Sequence, residues 1–377
     1  MVLQLDQSIL DYVNQGINEE RKSRVALENI LNGYREGNHV VICNPQLAGN
    51  LRARLFSNIS TQSWLIRELA EEWPIISSHA LRLSTIAMIV GDQLIPSVLQ
   101  SGQVKILKFP ISMFRRASLM QPTILLPENL EDSETLRMMG KVFSVRNNLA
   151  QILKYDAVGG GGSTTADQFE MIQSQAARFC LCIADSDKRS PHDAFGNTAR
   201  RIREVHNPDK LLVTAAYTPC HELENTIPES IIASALQDFQ GGLRDLRCFR
   251  DHGIAGSFEH LDFKRGVVLR DLFEFEKTSQ NGIFWASTIT QAIGSPLPLQ
   301  NVSQACLDDW ACHNPGNCNC RIFESFGNNM LPQVNEFFAT NSAHVVSRML
   351  DSHCQPLWEK LGQVVFEWCC GWRSKMT

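Results

Sequence analysis

The sequence predicts an α/β protein with a parallel-sheet core, flanked by a largely helical amino-terminal domain and a helical carboxy-terminal region. Three observations predict it. Between Pro122 and Pro228, short apolar runs alternate with segments of helical periodicity, the pattern of strand–helix units that build a parallel sheet. Before this segment apolar residues recur mainly at helical spacing. After it the helical pattern returns, broken by a stretch rich in Cys, Asn and Gly between 301 and 327 that cannot form a regular apolar core alone.

The 377 residues leave room for two or three domains. The pattern changes divide them into 1–115, mixed and largely helical; 116–240, the α/β core; 241–300, a helical extension; and 301–377, a Cys-rich loop followed by helices. With 44% hydrophobic and 20% charged residues the composition is that of a globular chain rather than a disordered one. No apolar run approaches the roughly 18 residues of a membrane span. The first 25 residues carry acids early and lack a basic start followed by an apolar stretch, so no secretory signal is expected. The expected location is cytoplasmic, with no membrane partner and with the 12 cysteines reduced.

A net charge of −5 argues against a protein that passively coats nucleic acid. It argues less against a nuclease, because an acidic metal site contributes negative charge that a bound cation offsets. Basic pairs do occur, at Arg115-Arg116, Lys188-Arg189, Arg200-Arg201 and Lys264-Arg265, and Arg244, Arg247 and Arg250 form a further basic stretch.

Element by element, Leu3, Leu5, Ile9, Leu10, Val13 and Ile17, then Val25, Leu27, Ile30 and Leu31, predict helix over 1–35. His39 to Cys43 reads as a buried strand closed by Asn44-Pro45. Residues 46–108 read as two or three helices with one short strand near 104–107. The core then follows: a strand at 123–126, a helix at 132–145, a strand at 152–158 running into Gly159–Gly162, a helix at 165–175, a central strand at 179–184 and a strand at 210–215. Helices fill most of 229–300 and 329–372.

Acidic residues fall where such a sheet displays ligands, at the carboxyl ends of its strands. Glu128 follows the first core strand. Asp185 and Asp187 close the apolar run Phe179–Ala184, and alternation puts both carboxylates on one side. Glu222 and Glu224 follow the last strand in His221-Glu222-Leu223-Glu224-Asn225. Oxygen-only ligands of this kind suit Mg²⁺ or Mn²⁺. Asp-Ser-Asp taken alone reads equally well as a turn.

In order and spacing these segments resemble TOPRIM domains. Ile124-Leu125-Leu126-Pro127-Glu128, with Asp132 opening the next helix, is similar to the first TOPRIM motif, and Asp185-Ser186-Asp187 to the second. His221 to Asn225 resembles the element that follows the last strand in TOPRIM nucleases of the OLD type and in related anti-phage effectors. The resemblance covers about 110 residues. It implies that Glu128 is a metal ligand or general base, and that Asp132, Asp185 and Asp187 are metal ligands. Glu224, or else Glu222, would complete a second metal site. In Phe263-Lys264-Arg265-Gly266 it implies that Lys264 supplies positive charge to the transition state. Asn129 stands where the motif usually has Gly, no Walker A sequence is present, and none of the four tyrosines has a topoisomerase context.

The implied function is a Mg²⁺- or Mn²⁺-dependent nuclease acting on DNA or on structured RNA such as tRNA, as a toxic effector of anti-phage defence. Any ATP-dependent control would come from a separate ATPase or sensor chain, and self-association into a homo-oligomer is compatible with the reading. The competing expectations are a non-catalytic TOPRIM-like regulatory protein acting with a partner ATPase, and a primase-like nucleotidyl-transfer enzyme.

A second metal site is expected from Cys306, Cys312, His313, Cys318 and Cys320, which lie within 15 residues around the turn sequence Asn314–Asn317. Soft ligands at this density suit a structural Zn²⁺, with uncoordinated thiols as the alternative. His353-Cys354 or Cys369-Cys370 would be sources of a further ligand.

Overall fold

The computed structural model describes residues 1–57, 60–91, 95–236, 239–296, 298–299, 301–314 and 320–375. The chain divides into two units. The first contains residues 1–183, 202–216 and 359–377; the second contains 184–201 and 217–358.

Two sheets organise the first unit. Strands β1 (Val2–Leu5), β2 (Val40–Ile42), β3 (Thr85–Val90), β4 (Ser97–Ser101) and β5 (Val104–Pro110) form one, in the order β2-β1-β3-β5-β4. Its first four members in that order run parallel, and β4 returns antiparallel to β5 at the edge. Gly102, at φ +60°, sits in the tight β4–β5 turn, where a left-handed residue lets the hairpin close.

The other sheet contains β6 (Thr123–Pro127), β8 (Tyr155–Ala157), β9 (Cys180–Ala184) and β10 (Val213–Tyr217), in the order β10-β9-β6-β8. Strand β7 (Ile152–Leu153) pairs instead with Cys370–Gly371. β6 runs parallel to both β8 and β9, with Leu126 opposite Cys182 and Pro127 opposite Ile183. Leu125, Leu126, Leu181 and Cys182 are fully buried. A strand covered on both faces needs a continuous apolar run rather than alternation, and Cys180–Ala184 is such a run.

Helices Asp132–Arg146 and Thr165–Gln175 follow β6 and β8. The glycines between β8 and Thr165 close onto the end of β6: Gly160 N donates to Pro127 O (2.9 Å) and Gly162 N to Glu128 O (3.2 Å). A Cβ on Gly160 would lie 2.3 Å from Thr165 Oγ1, so this backbone is pressed against the protein's own side chains.

The second unit is mainly helical, with helices at Glu229–Ala235, Gln240–His252, Gln280–Ile293, Met330–Thr340 and Ala343–Met349. Val267–Val268 and Arg321–Phe323 form a short antiparallel pair. Phe263, Phe323 and Phe326 make an aromatic cluster with centroids 5.3–5.7 Å apart. Phe326 N donates to Phe263 O (2.8 Å), so the backbone just before Lys264 is anchored in a core.

The α/β class and the parallel core agree with the sequence, and the helix at Thr165–Gln175 agrees to the residue. Four expectations need correction. Residues 1–35 are not all helix: Val2–Leu5 is a central strand, and helices follow at Ser8–Val13 and Ile17–Glu36. Residues 46–108 hold three strands, not one. Val2, Leu3 and Leu5, like Ile86, Ala87, Ile89 and Val90, are buried, and short fully buried runs look alike whether helical or extended. The expected strand at 152–158 is divided between β7 and β8. The last core strand is Val213–Tyr217, a few residues later than expected. Arg244, Arg247 and Arg250 are engaged in ion pairs with Asp245, Glu229 and Asp251. Among the described residues no helix is long and apolar enough to cross a membrane.

Leu181 lies on β9 with no exposed surface. Leu181→Ala should cost about 2–5 kcal/mol, read as a lower urea midpoint with unchanged slope. A loss below about 1 kcal/mol would show that this strand is not in the core.

Candidate functional site

In the second unit the chain leaves β9 directly into Asp185-Ser186-Asp187. This turn is stitched to the loop after β10. Ser186 N donates to Thr218 Oγ1 (2.8 Å), Thr218 Oγ1 to Cys220 O (2.9 Å), and Asp187 N to His221 O (2.8 Å). Ser186 Oγ also donates to Cys220 O. Asp187 sits at φ +52°, a left-handed conformation that Asp tolerates better than most residues. Gly196 is required beside it, because a Cβ there would lie 2.1 Å from Asp187 Oδ2.

The glutamates stand in a short 3₁₀ turn, Leu223–Thr226, that polar side chains cap from both ends. Asp185 Oδ1 accepts from Leu223 N (2.8 Å). Glu222 N donates to Asn225 Oδ1 (2.9 Å), while the Glu222 side chain accepts from the Asn225 backbone, the reciprocal arrangement of a capping box. Asn225 Nδ2 donates to Phe258 O (3.1 Å) and Leu261 O (2.8 Å). One amide thereby fixes the glutamate turn to the segment that carries Asp262 and Lys264.

Lys264 Nζ lies 3.0 Å from Glu224 Oε1 and 3.5 Å from Glu222 Oε1. Glu224 is only 2% exposed. Burial works against the Lys264 ammonium, but Glu224, Glu222 and Asp185 together outweigh it and hold its pKa above the ordinary value. Burial, helped by Glu224 and opposed by Lys264, raises the Glu222 carboxyl to about 8. Burial likewise raises Asp187, against the pull of His221 and Lys264. Glu222 Oε2 is buried with no hydrogen-bond partner.

Asp187, Glu222 and Lys264 border a cavity of about 490 Å³ whose walls also include Arg189, His221, His260, Asp262 and Arg265. Its volume is in the range of small-ligand sites. Its lining sets the carboxylates of Asp187, Glu222, Asp262 and Asp271 against the cations of Lys264, Arg189 and Arg265. An orphaned carboxylate oxygen beside a second buried carboxylate is what a hard divalent cation would complete, so the donor chemistry fits Mg²⁺ or Mn²⁺. Among the described residues, no three His, Cys, Asp or Glu side chains are already gathered as a metal cage.

Thus Asp185, Asp187, Glu222, Glu224 and Lys264 come together in the second unit. Glu128 and Asp132 belong to the first. Glu128 follows β6, and its charge helps burial raise the Cys182 thiol. Asp132 is buried at the start of its helix, where Oδ2 accepts from Asn129 N (2.9 Å). Sequence reasoning gave no role to His221, His260 or Asp262. His221 lay inside the motif as quoted and Asp262 beside Lys264, but the loop closure that joins them depends on Asn225. His260, whose Nδ1 lies 2.9 Å from Lys188 O, left no pattern in the sequence.

The expected zinc loop lies partly outside the described residues, which omit Cys318. Of the rest, Cys306 and Cys320 are buried and Cys312 is half-buried. His313 N donates to Cys306 Sγ (3.5 Å), and His313 Nε2 pairs with Asp309 (2.7 Å). No protein-family model matches the chain, and no curated protein or solved structure matches it.

The raised carboxyl makes stability depend on pH. The Glu222 pKa rises from 4.5 to about 8 on folding. The stability that its protonated form contributes is therefore full below pH 4.5 and is lost as pH rises through about 8. In EDTA, wild type should lose stability relative to Glu222→Gln between pH 5 and 8. A constant difference in urea midpoint across that range would contradict the assignment.

Proposed function

We propose that this protein is a divalent-metal-dependent nuclease of the TOPRIM kind, cleaving phosphodiester bonds in DNA or structured RNA. The observation that carries the reading is the half-buried Lys264 held against Glu222 and Glu224 beside a cavity that Asp187, Glu222 and Asp262 also line. Support comes also from the order of the acidic motifs along the chain, which resembles that of OLD-type nucleases.

In this reading Asp185, Asp187, Glu222 and Glu224 would hold Mg²⁺ or Mn²⁺, while Glu128 and Asp132 are metal ligands only as the resemblance implies. The bound cation supplies an activated water and offsets charge on the phosphate. The chain's own part is electrostatic. Lys264 neutralises the glutamates before a cation arrives, and its ammonium then stands ready to meet the negative charge that builds on the phosphate oxygens. Arg189 and Arg265 at the cavity edge offer phosphate contacts that carry no sequence information. Asn225 and the Ser186–Thr218–Cys220 bonds keep the two acidic loops in register. The resemblance to anti-phage effectors makes toxic cleavage in an infected cell the corresponding role, with any ATPase control coming from a partner chain.

Incubation with plasmid, single-stranded DNA and total tRNA in Mg²⁺, Mn²⁺ or EDTA tests this. Cleavage should occur with metal and stop in EDTA. Asp185→Asn, Glu128→Gln and Lys264→Met should each lower it by at least about 100-fold while keeping the wild-type circular dichroism. Cleavage that survives EDTA, or persists in the carboxylate variants, would sink the proposal. Metal binding without cleavage of any substrate would favour the non-catalytic TOPRIM-like reading.

A further inference from the structure

One side chain on the cavity wall has a ring nitrogen that the carboxylate reading leaves without a task. His260 lines the cavity and is 6% exposed. Its Nδ1 lies 2.9 Å from Lys188 O. A carbonyl oxygen can only accept, so Nδ1 carries the hydrogen and, in the neutral ring, Nε2 carries the lone pair. Among the described residues Nε2 makes no hydrogen bond, and it is not shut away from solvent as Glu222 Oε2 is. With the cavity as the open space beside the ring, that lone pair is presented to it.

The ring is also held still. Asn225 Nδ2 binds the carbonyls of Phe258 and Leu261 on either side of it in the chain (3.1 and 2.8 Å). Phe284 packs edge-on against it, with ring centroids 6.0 Å apart. The backbone that supplies Lys188 O is fixed in turn, because Trp285 Nε1 donates to Arg189 O (2.6 Å). An imidazole with one nitrogen tied to a fixed acceptor and the other facing a site is oriented as a proton acceptor. Burial lowers its pKa from the ordinary 6.5; the bond to Lys188 O and the charge of Asp193 oppose this, and His221 and the Lys188 ammonium add to it. The ring is therefore neutral at pH 7.

We infer that His260 is the general base of phosphodiester hydrolysis in this cavity, its Nε2 taking the proton of the attacking water. The inference rests on the nuclease reading and adds the residue that handles the proton. As the water oxygen bonds to phosphorus, its proton passes to Nε2. The bond from phosphorus to the leaving nucleotide oxygen breaks, and that oxygen takes a proton from solvent. The imidazolium then returns its proton to solvent, so one water is consumed and nothing is oxidised or reduced. Lys264, further along the same segment and also on the cavity wall, meets the charge that grows on the phosphate oxygens. Asp187 and Glu222, assigned to the cation, are poor proton acceptors while they hold it, which leaves the task to a neutral nitrogen.

Cleavage of plasmid, single-stranded DNA and total tRNA by the full chain in saturating Mg²⁺ or Mn²⁺ tests it. His260→Ala should lower kcat by about 10²–10⁴-fold, with KM changed by less than about threefold. His260→Asn keeps an amide donor for Lys188 O but has no basic nitrogen, so it should lose as much; it also carries the test if circular dichroism shows His260→Ala to be unfolded. Imidazole and its methyl derivatives, added to folded His260→Ala at equal free-base concentration, should restore cleavage in the order of their basicity, which the loss of a merely packed ring would not give. A wild-type rate in His260→Asn, or no rescue of folded His260→Ala, overturns the inference and leaves the nuclease standing. Cleavage of none of the three substrates by wild type overturns both.

Discussion

Glu222 and Glu224 are withdrawn from water two residues apart, and that arrangement is tolerable only with a cation or a proton beside them. Removing a carboxylate from water is expensive unless the charge is paired or the group takes up a proton. This chain uses both remedies. Lys264 sits against the two side chains, and Glu222 is raised far enough to exchange its proton near neutral pH. The rest of the second unit's site follows from that constraint. Phe263 must be packed among Phe323 and Phe326 to present the lysine. Asn225 must bind the carbonyls of Phe258 and Leu261 to bring its segment alongside. Asp185 must turn a carboxylate inward to cap the glutamate turn.

A purely structural salt bridge would be a poor use of so many buried charges, because replacing a buried ion pair by apolar residues is often neutral or stabilising. What distinguishes this cluster is its incompleteness. Glu222 keeps an oxygen without a hydrogen-bond partner, and Glu222 and Glu224 outnumber the lysine that faces them. Interiors seldom retain such groups, and where they do the usual reason is a ligand or a chemical role. The cavity beside them provides access for either.

The sequence made the strands of the second sheet visible because each is bounded by residues that stop it: Pro122 before β6, Asp185 after β9, and the glycines after β8. β1 and β3 have no such contrast. Val2–Leu5 runs almost directly into a helix, and Thr85–Val90 lies in a long apolar region whose spacing suits either conformation. The acidic residues were legible because carboxylates at the ends of apolar runs are unusual in themselves. His221, His260 and Asp262 were not, because their importance comes from bonds between segments 33 and 36 residues apart, made by an asparagine whose side chain could as well have served an ordinary turn.

The same contrast explains how the work is divided along the chain. The parallel strands hold the places where chain leaves the sheet, and their register, with Pro127 opposite Ile183, is set by burial on both faces. A one-residue slip would turn every side chain over, so this part of the framework tolerates little variation. The loops after β9 and β10 are held instead by side-chain and backbone hydrogen bonds, from Ser186, Thr218 and Asn225, which fix position without a large apolar core. Apolar burial thus fixes the strands while polar bonds fix the acidic turns, and Lys264 meets Glu222 and Glu224 at a place that the Asn225 bonds to Phe258 and Leu261 help to set.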